Sequence, residues 1–199
     1  MDAASLSLTE SQTLAALRAF LLSVLPAGVE AIRGQDNRLP EPPGANFVVM
    51  TPVLRERLET NVDAWRDGYP DAPSVRDVLQ ATKLTVQIDV HGPSGADHTQ
   101  TITTLWRDPC ACDAFTASGF DIAPLFASEP RQVPFLNEAQ QVETCWSVDL
   151  VMQVNPVVTV PQEFAQSLEI GTAGNPVTAA TRHVQRWNGP KEVDSSFSA

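Results

Sequence analysis

Residues 142–154 read VETCWSVDLVMQV, and this stretch decides the fold. Seven apolar or β-branched residues alternate there with more polar neighbours: Val142, Thr144, Trp146, Val148, Leu150, Met152 and Val154. A period of two residues is typical of a β-strand that buries one face. Because Asn155-Pro156 then breaks the alternation, we predict a long central strand that ends at residue 154.

Two further stretches predict strands of the same sheet. Residues 84–91 read LTVQIDVH, in which every second residue is aliphatic until Gly92-Pro93 ends the pattern. A run rich in β-branched residues at 46–51 predicts another strand. The residues that follow, 53–62, are ambiguous, because their apolar positions fit one face of a helix whereas their alternating charges fit an exposed strand.

Helices are predicted before and between these strands. Thr9 and Gln12 have the spacing of a capping box, and leucines recur after them at helical intervals. The segment SGAD at 94–97 resembles a second capping box, and the Asp-Pro pair at 108–109 begins a third, short helix that ends near residue 117. We therefore predict a single α+β domain, in which helices pack on a curved, mainly antiparallel or mixed β-sheet.

Segments rich in proline and glycine separate the predicted elements. Residues 34–44 and 68–74 are expected to be exposed loops, and the second would suit a hairpin tip. Residues 129–141 fit either a connecting loop or an edge strand that turns near Asn137. Residues 157–160 are rich in valine and precede PQEFAQSLEI at 161–170, and the sequence leaves open whether this segment forms a strand or a short helical end.

The C-terminal segment differs from the rest in composition. Residues 171–199 are poor in large apolar residues, and their basic residues Arg182, Arg186 and Lys191 outnumber two acidic ones. We expect a domain over residues 1–170, followed by an extended tail or arm that folds only against a partner. A weakly basic arm on an acidic body suits reciprocal docking around a ring, so Arg182 and Arg186 are candidate partner contacts.

The charge balance argues against nucleic-acid recognition. The chain has 13 basic and 24 acidic residues, a net charge of −11, which repels a polyphosphate. This acidity fits solubility, and it also fits a negative wall past which DNA slides. The first residues have no basic start, and the apolar stretches are shorter than the roughly 18 residues that cross a bilayer, so we expect a cytosolic protein without a membrane segment.

No motif in the sequence indicates catalysis, a metal or a cofactor. The chain has neither a Gly-x-Ser-x-Gly elbow nor a phosphate-binding glycine loop. Cys110, Cys112 and Cys145 lack the spacing of a zinc site and are expected to be reduced, half-buried thiols. His91 fits a turn residue better than a catalytic base, and Asp89 fits a surface pair with it. We predict a protein that is not an enzyme and has no cofactor and no metal.

Three segments, taken in order, resemble one protein family. They are RGQDNRLPEPPGANFVVMTP at 33–52, QIDVHGP at 87–93, and EPRQVPFLNEAQQ at 129–141 followed by LVMQVNPVVTVPQEFA at 150–165. Together they resemble the neck-terminator group of phage tail proteins over residues 12–165. The resemblance implies a small α+β domain with a curved sheet, and it favours a strand over 53–62.

The resemblance also implies a structural virion protein without an active site. Such a protein would form a ring, usually a hexamer, on the last ring of the tail tube, where it halts tube growth and makes the joint to the head connector. DNA would pass through the lumen without specific binding. Expected partners are further copies of the chain, the tail tube protein and the head-tail connector or adaptor proteins, with the tail sheath as a further candidate. The protein would be found in the virion neck or tail, and in the host cytoplasm during assembly.

Polar residues in two proline-rich segments are candidates for contacts with such partners. They are Arg131 and Gln132, which lie between two prolines, and Arg38 in the predicted loop at 34–44. A plain surface loop is the alternative for 131–132. Two other functions stay open: another virion adaptor, such as a head-completion or baseplate subunit, and a small ligand-binding domain or enzyme that uses His91, Asp89 or a cysteine.

Overall fold

The computed structural model describes residues 4–34, 44–68, 72–136 and 142–163. The helices in these ranges are α1 (Glu10–Val24), α2 (Gly95–Trp106) and α3 (Pro109–Ala117). The strands are β1 (Ser5–Leu6), β2 (Glu30–Arg33), β3 (Phe47–Arg57), β4 (Val62–Arg66), β5 (Val75–Leu79), β6 (Thr82–His91), β7 (Ile122–Ala127), β8 (Arg131–Leu136), β9 (Val142–Val154) and β10 (Val157–Pro161). All of them belong to one compact unit, Met1–Gln162, and a second unit begins at Glu163. The α+β class predicted from the sequence is confirmed.

The main sheet has six strands, and β9 is an interior strand that pairs on both sides. Its order is β2-β3-β6-β9-β7, and β8 also pairs with β9. β7 pairs with the C-terminal half of β9 and β8 with its N-terminal half, so the two short strands follow each other along one edge. The edge-strand alternative is therefore confirmed for residues 131–136.

The three helices pack on one face of this sheet. The alternating aliphatic residues of β6 and β9 form the floor of the core, and almost all are fully buried: Leu84, Val86, Ile88, Val90, Val148, Leu150, Met152 and Val154. Phe20 of α1, Trp106 of α2 and Phe115 of α3 form an aromatic cluster above it, with ring centroids 5.5–6.1 Å apart. Burying each such side chain contributes about 1.5–3 kcal/mol, so this layer fixes the helices on the sheet.

One of the two predicted capping boxes is confirmed. The Thr9 hydroxyl accepts a hydrogen bond from the Gln12 N–H, and the Gln12 side chain accepts one from the Thr9 N–H. The box predicted at Ser94 is wrong, because the Ser94 side chain makes no capping bond. Its backbone N–H instead donates to Asn46 Oδ1 at 3.0 Å, so a residue distant in sequence organises the start of α2.

The ambiguous segment after residue 52 continues β3. Arg55 and Arg57 pair with Leu84 and Thr82 of β6, so the helical alternative for this part of the chain is wrong. The register shifts between Pro52 and Leu54. Such a bulge accommodates a proline, which has no N–H to contribute to the ladder.

A second, four-stranded sheet has the order β1-β10-β5-β4. β4 follows β3, β5 precedes β6 and β10 follows β9, so three strands of the main sheet continue into the second one in the same lateral order. β10 shows that the valine-rich segment begins as a strand, Val157–Pro161, whereas residues 164–170 lie outside the described ranges. β4 and β5 were not predicted, although the turn-rich segment between them was. None of the residues in these four strands is buried, so the second sheet has no core of its own.

Several predictions concern residues outside the described ranges. They include most of the loop at 34–44, the tip at 69–71, the turn near Asn137, the domain boundary at residue 170 and the tail at 171–199. These stay predictions.

Candidate partner-binding surface

Arg131 and Gln132 lie on β8, the outer strand beside β9. Arg131 pairs with Ser147 across the ladder, and its guanidinium lies 3.6 Å from the Asp149 carboxylate while remaining half exposed. Asp149 also anchors the link between β7 and this strand, because its backbone exchanges hydrogen bonds with Ser128, the residue that follows β7. The structure therefore places Arg131 and Gln132 on a strand and not on a plain surface loop, in an orientation fixed by the ladder.

Exposed apolar side chains concentrate on two opposite edges of the strand order. β2 pairs only with residues 47–50 of β3. On the outer side of the residues that follow, 51–66, no neighbouring strand lies in the described part of the chain. We call these residues the β3–β4 edge; their exposed apolar side chains are Val53, Leu54, Leu58, Val62 and Trp65. The opposite edge, residues 122–136, is the β7–β8 edge; the exposed apolar side chains within its residues 122–133 are Leu125, Phe126 and Val133. Among the side chains that the structure describes, which leave out those of residues 134–136 and 142–143, two other large apolar ones are exposed, Leu6 and Val158.

The second sheet is fastened by polar contacts across its strands. Arg66 of β4 donates two hydrogen bonds to the Asp77 carboxylate of β5, at 2.6 and 3.0 Å. The Thr159 hydroxyl of β10 donates to the same carboxylate at 2.6 Å. These contacts, first the one with Arg66, hold the pKa of Asp77 below its usual value. One carboxylate thus links three strands that share no buried core.

An open groove lies between this second sheet and the end of β3. Its floor is apolar and includes Leu6, Val78 and Val158. The charged groups that line it balance in number, since there are two carboxylates, Glu10 and Glu56, and two guanidinium groups, Arg55 and Arg57. The groove therefore has no excess charge that would select an ionic ligand.

The environment of His91 differs from the prediction. The side chain is buried, and its ring stacks on Phe47 with centroids 4.5 Å apart and planes at 7°. His91 Nε2 lies 3.8 Å from Cys145 Sγ, and the neighbouring Asp89 accepts two hydrogen bonds from the Gln87 amide. The expected surface location is therefore wrong: His91 is the last residue of β6 and is part of the packing there.

The three cysteines are free and occupy different environments. Cys145 is buried, Cys112 is exposed and Cys110 is intermediate, so the expectation of uniformly half-buried thiols is wrong. Burial, with a smaller effect of the Asp89 carboxylate, raises the pKa of Cys145 to about 11, so this thiol is protonated at neutral pH. Within the residues that the structure describes, no three His, Cys, Asp or Glu side chains are grouped to hold a metal ion.

A family model described as phage neck terminator protein matches residues 11–175 of this chain. The chain belongs to the phage neck terminator family. The matched span contains all three segments on which the sequence resemblance depends. This family consists of structural phage proteins and is not a class of enzymes, so the chain is a structural tail or neck protein. No curated protein matches it. In the described ranges, no helix is long and apolar enough to span a membrane.

The remaining candidate contacts of this neck terminator family member lie outside the described residues. Arg38 is within the matched span, whereas Arg182 and Arg186 lie beyond it. Sequence reasoning missed the strands β4 and β5 and, with them, the exposed Trp65. Their signal was present, because VDAWR and VRDVL flank a turn-rich segment as two strands of a hairpin do.

Proposed function

We propose that this protein forms a hexameric ring at the head-proximal end of the phage tail tube. The ring stops tube growth and joins the tail to the head connector. The observation that carries this proposal is the family match over residues 11–175, which spans most of the chain. The protein then acts by assembly, in the neck of the virion, after synthesis in the host cytoplasm.

The described residues support an assembly role in two ways. Large apolar side chains are exposed on two separate edges, where their contact with water does not stabilise a monomer. Polar side chains at the groove and on β6 are bonded within the subunit. Glu10 pairs with Arg33 and Arg55, and Asp89 accepts a hydrogen bond from Gln87. The partners that follow from the proposal are further copies of the chain, the tube protein and the connector, with the sheath as a further candidate.

The net charge of −11 fits a lumen through which DNA passes. Negative side chains repel the phosphate backbone, so the duplex is not held at the joint. The proposal therefore predicts that DNA is a passing occupant and not a ligand of the ring.

The proposal is tested with tail tubes assembled from purified tube protein. Tubes are mixed with this protein, then offered fresh tube subunits, and the tube lengths and tube ends are measured by negative-stain electron microscopy. We expect a ring at one end and no further growth there, whereas untreated tubes continue to grow at that end. Growth that continues at both ends, with no added density at either, would contradict the proposal.

Gold labelling in whole virions separates the alternatives, because a label at the distal end would indicate a baseplate subunit.

A further inference from the structure

We propose that neighbouring copies join through the two apolar edges, with the β3–β4 edge of one copy docked on the β7–β8 edge of the next. This inference rests on the proposed ring and identifies the surfaces that would close it. The occupant of each edge is thus a second copy of this chain.

The positions of the two edges favour a head-to-tail contact. In the strand order, the β3–β4 edge lies on the β3 side of β6, and the β7–β8 edge lies beyond β9. Ten large apolar side chains are exposed among those that the structure describes, which leave out residues 134–136 and 142–143; five lie on one edge and three on the other. Two different surfaces on opposite sides of a subunit produce a ring when repeated, whereas a single self-complementary surface produces a closed dimer.

Neither edge carries an excess of charge that would repel a second copy. The β3–β4 edge has three basic and three acidic residues: Arg55, Arg57, Arg66, Glu56, Glu59 and Asp63. The β7–β8 edge has one of each, Arg131 and Glu129. On a chain with a net charge of −11, two balanced edges are surfaces on which copies can approach each other without electrostatic repulsion.

The backbone of the β7–β8 edge indicates a contact made by side chains. Pro124 and a register shift interrupt β7, and Pro134 lies in β8. The carbonyl oxygens of Phe126 and Ala127 already accept hydrogen bonds from the side chains of α2 and the residue after it. These features block a continuous inter-subunit β-ladder, so the apolar side chains supply the contact.

Two variants test the docking, one on each edge. Trp65→Asp and Phe126→Asp replace side chains that are 57% and 48% exposed, so the core of the subunit is not disturbed. A carboxylate opposite an apolar surface has no partner, and we expect each change to weaken self-association by about 30-fold or more in sedimentation velocity. Leu6→Asp is the matched control, because Leu6 is 49% exposed but lies on β1, outside both edges; its self-association should equal that of the wild type.

Mixing the two variants tests the head-to-tail arrangement itself. The Trp65→Asp copy keeps an intact β7–β8 edge and the Phe126→Asp copy keeps an intact β3–β4 edge. An equimolar mixture should therefore form a heterodimer that grows no further. Circular dichroism melts of both variants establish that they are folded.

Each outcome separates the two proposals. If rings persist in both variants, or if the two folded variants do not combine when mixed, the edge contact is overturned. The proposal that the protein caps tail tubes is then unaffected. Loss of association in Trp65→Asp alone indicates a symmetric contact and also overturns the inference. Wild-type copies that associate through the edges but ignore tube ends overturn the proposed function alone. Wild-type copies that never associate, in solution or on tubes, overturn the edge contact, and tube growth is scored independently.

Discussion

Replacing Gly92 by alanine should destabilise the fold strongly. Gly92 follows β6 with a φ of +103°, a conformation that residues with a Cβ rarely adopt. A Cβ placed there would lie 2.0 Å from the Ala45 carbonyl oxygen and 2.6 Å from Asn46 Oδ1. Asn46 is also the acceptor for the Ser94 N–H, so the same close approach holds the turn before α2.

The magnitude follows from two separable contributions. The left-handed conformation costs an L-residue about 1–2 kcal/mol. Displacing the Ala45 backbone adds about 1–3 kcal/mol, the usual cost of overpacking, so the free energy of unfolding should fall by about 2–5 kcal/mol. Gly28→Ala is the matched control, because Gly28 has a φ of +95° but nothing within 4 Å of its Cβ position. That variant should lose the first contribution only.

Urea denaturation followed by circular dichroism measures both variants. The m-values should stay close to that of the wild type, so that the midpoints report stability. The reasoning would be refuted if Gly92→Ala lost no more stability than Gly28→Ala, because the steric contact with Ala45 would then contribute nothing.

Three further predictions concern the core, the thiols and the pH dependence. Phe20→Ala removes a ring that is 1% exposed and should lower the free energy of unfolding by about 3–5 kcal/mol in the same assay; a loss below about 1 kcal/mol would contradict the aromatic cluster. With a maleimide under mildly basic conditions, the exposed Cys112 should react at once. The buried Cys145, whose pKa is about 11, should react only after unfolding, and equal rates for the two thiols would contradict the burial of Cys145. The pKa of Asp77 in the folded state is lower than its ordinary value of 3.8. The ionised carboxylate therefore stabilises the fold at pH values above 3.8, and this stabilisation is lost as the pH falls through the pKa of the folded state. Asp77→Asn should therefore lower Tm at neutral pH and not in strong acid; a Tm difference that does not change with pH would contradict the role of Arg66.

The strands and helices that could be predicted are those whose local pattern and tertiary environment agree. The alternation along β6 and β9 is strong because one face meets the helices, so every second side chain is buried. The Thr9 capping box is confirmed because its two partners are three residues apart and need no other part of the chain. At Ser94 the same local reasoning is wrong, since Asn46, the residue before β3, provides the contact.

The candidate surface could be predicted only in part. Arg131 and Gln132 were found from composition, but their place on an edge strand depends on pairing with β9. Trp65 was missed because β4 has no buried face and hence no alternation between buried and exposed positions. Its exposure became evident only when β4 was seen to continue the outer side of β3.

By itself the sequence determined the class of the fold, the central strand, the main helices and the family, because each depends on local periodicity or on ordered segments. Only the tertiary structure decided that three strands extend into a second sheet, that His91 is packed against Phe47, and that exposed apolar side chains divide between two opposite edges. The physical reason is that strand order and edge exposure arise from hydrogen bonds between residues far apart in the chain. A local pattern records which face of a strand is buried, but not which neighbour lies beside it.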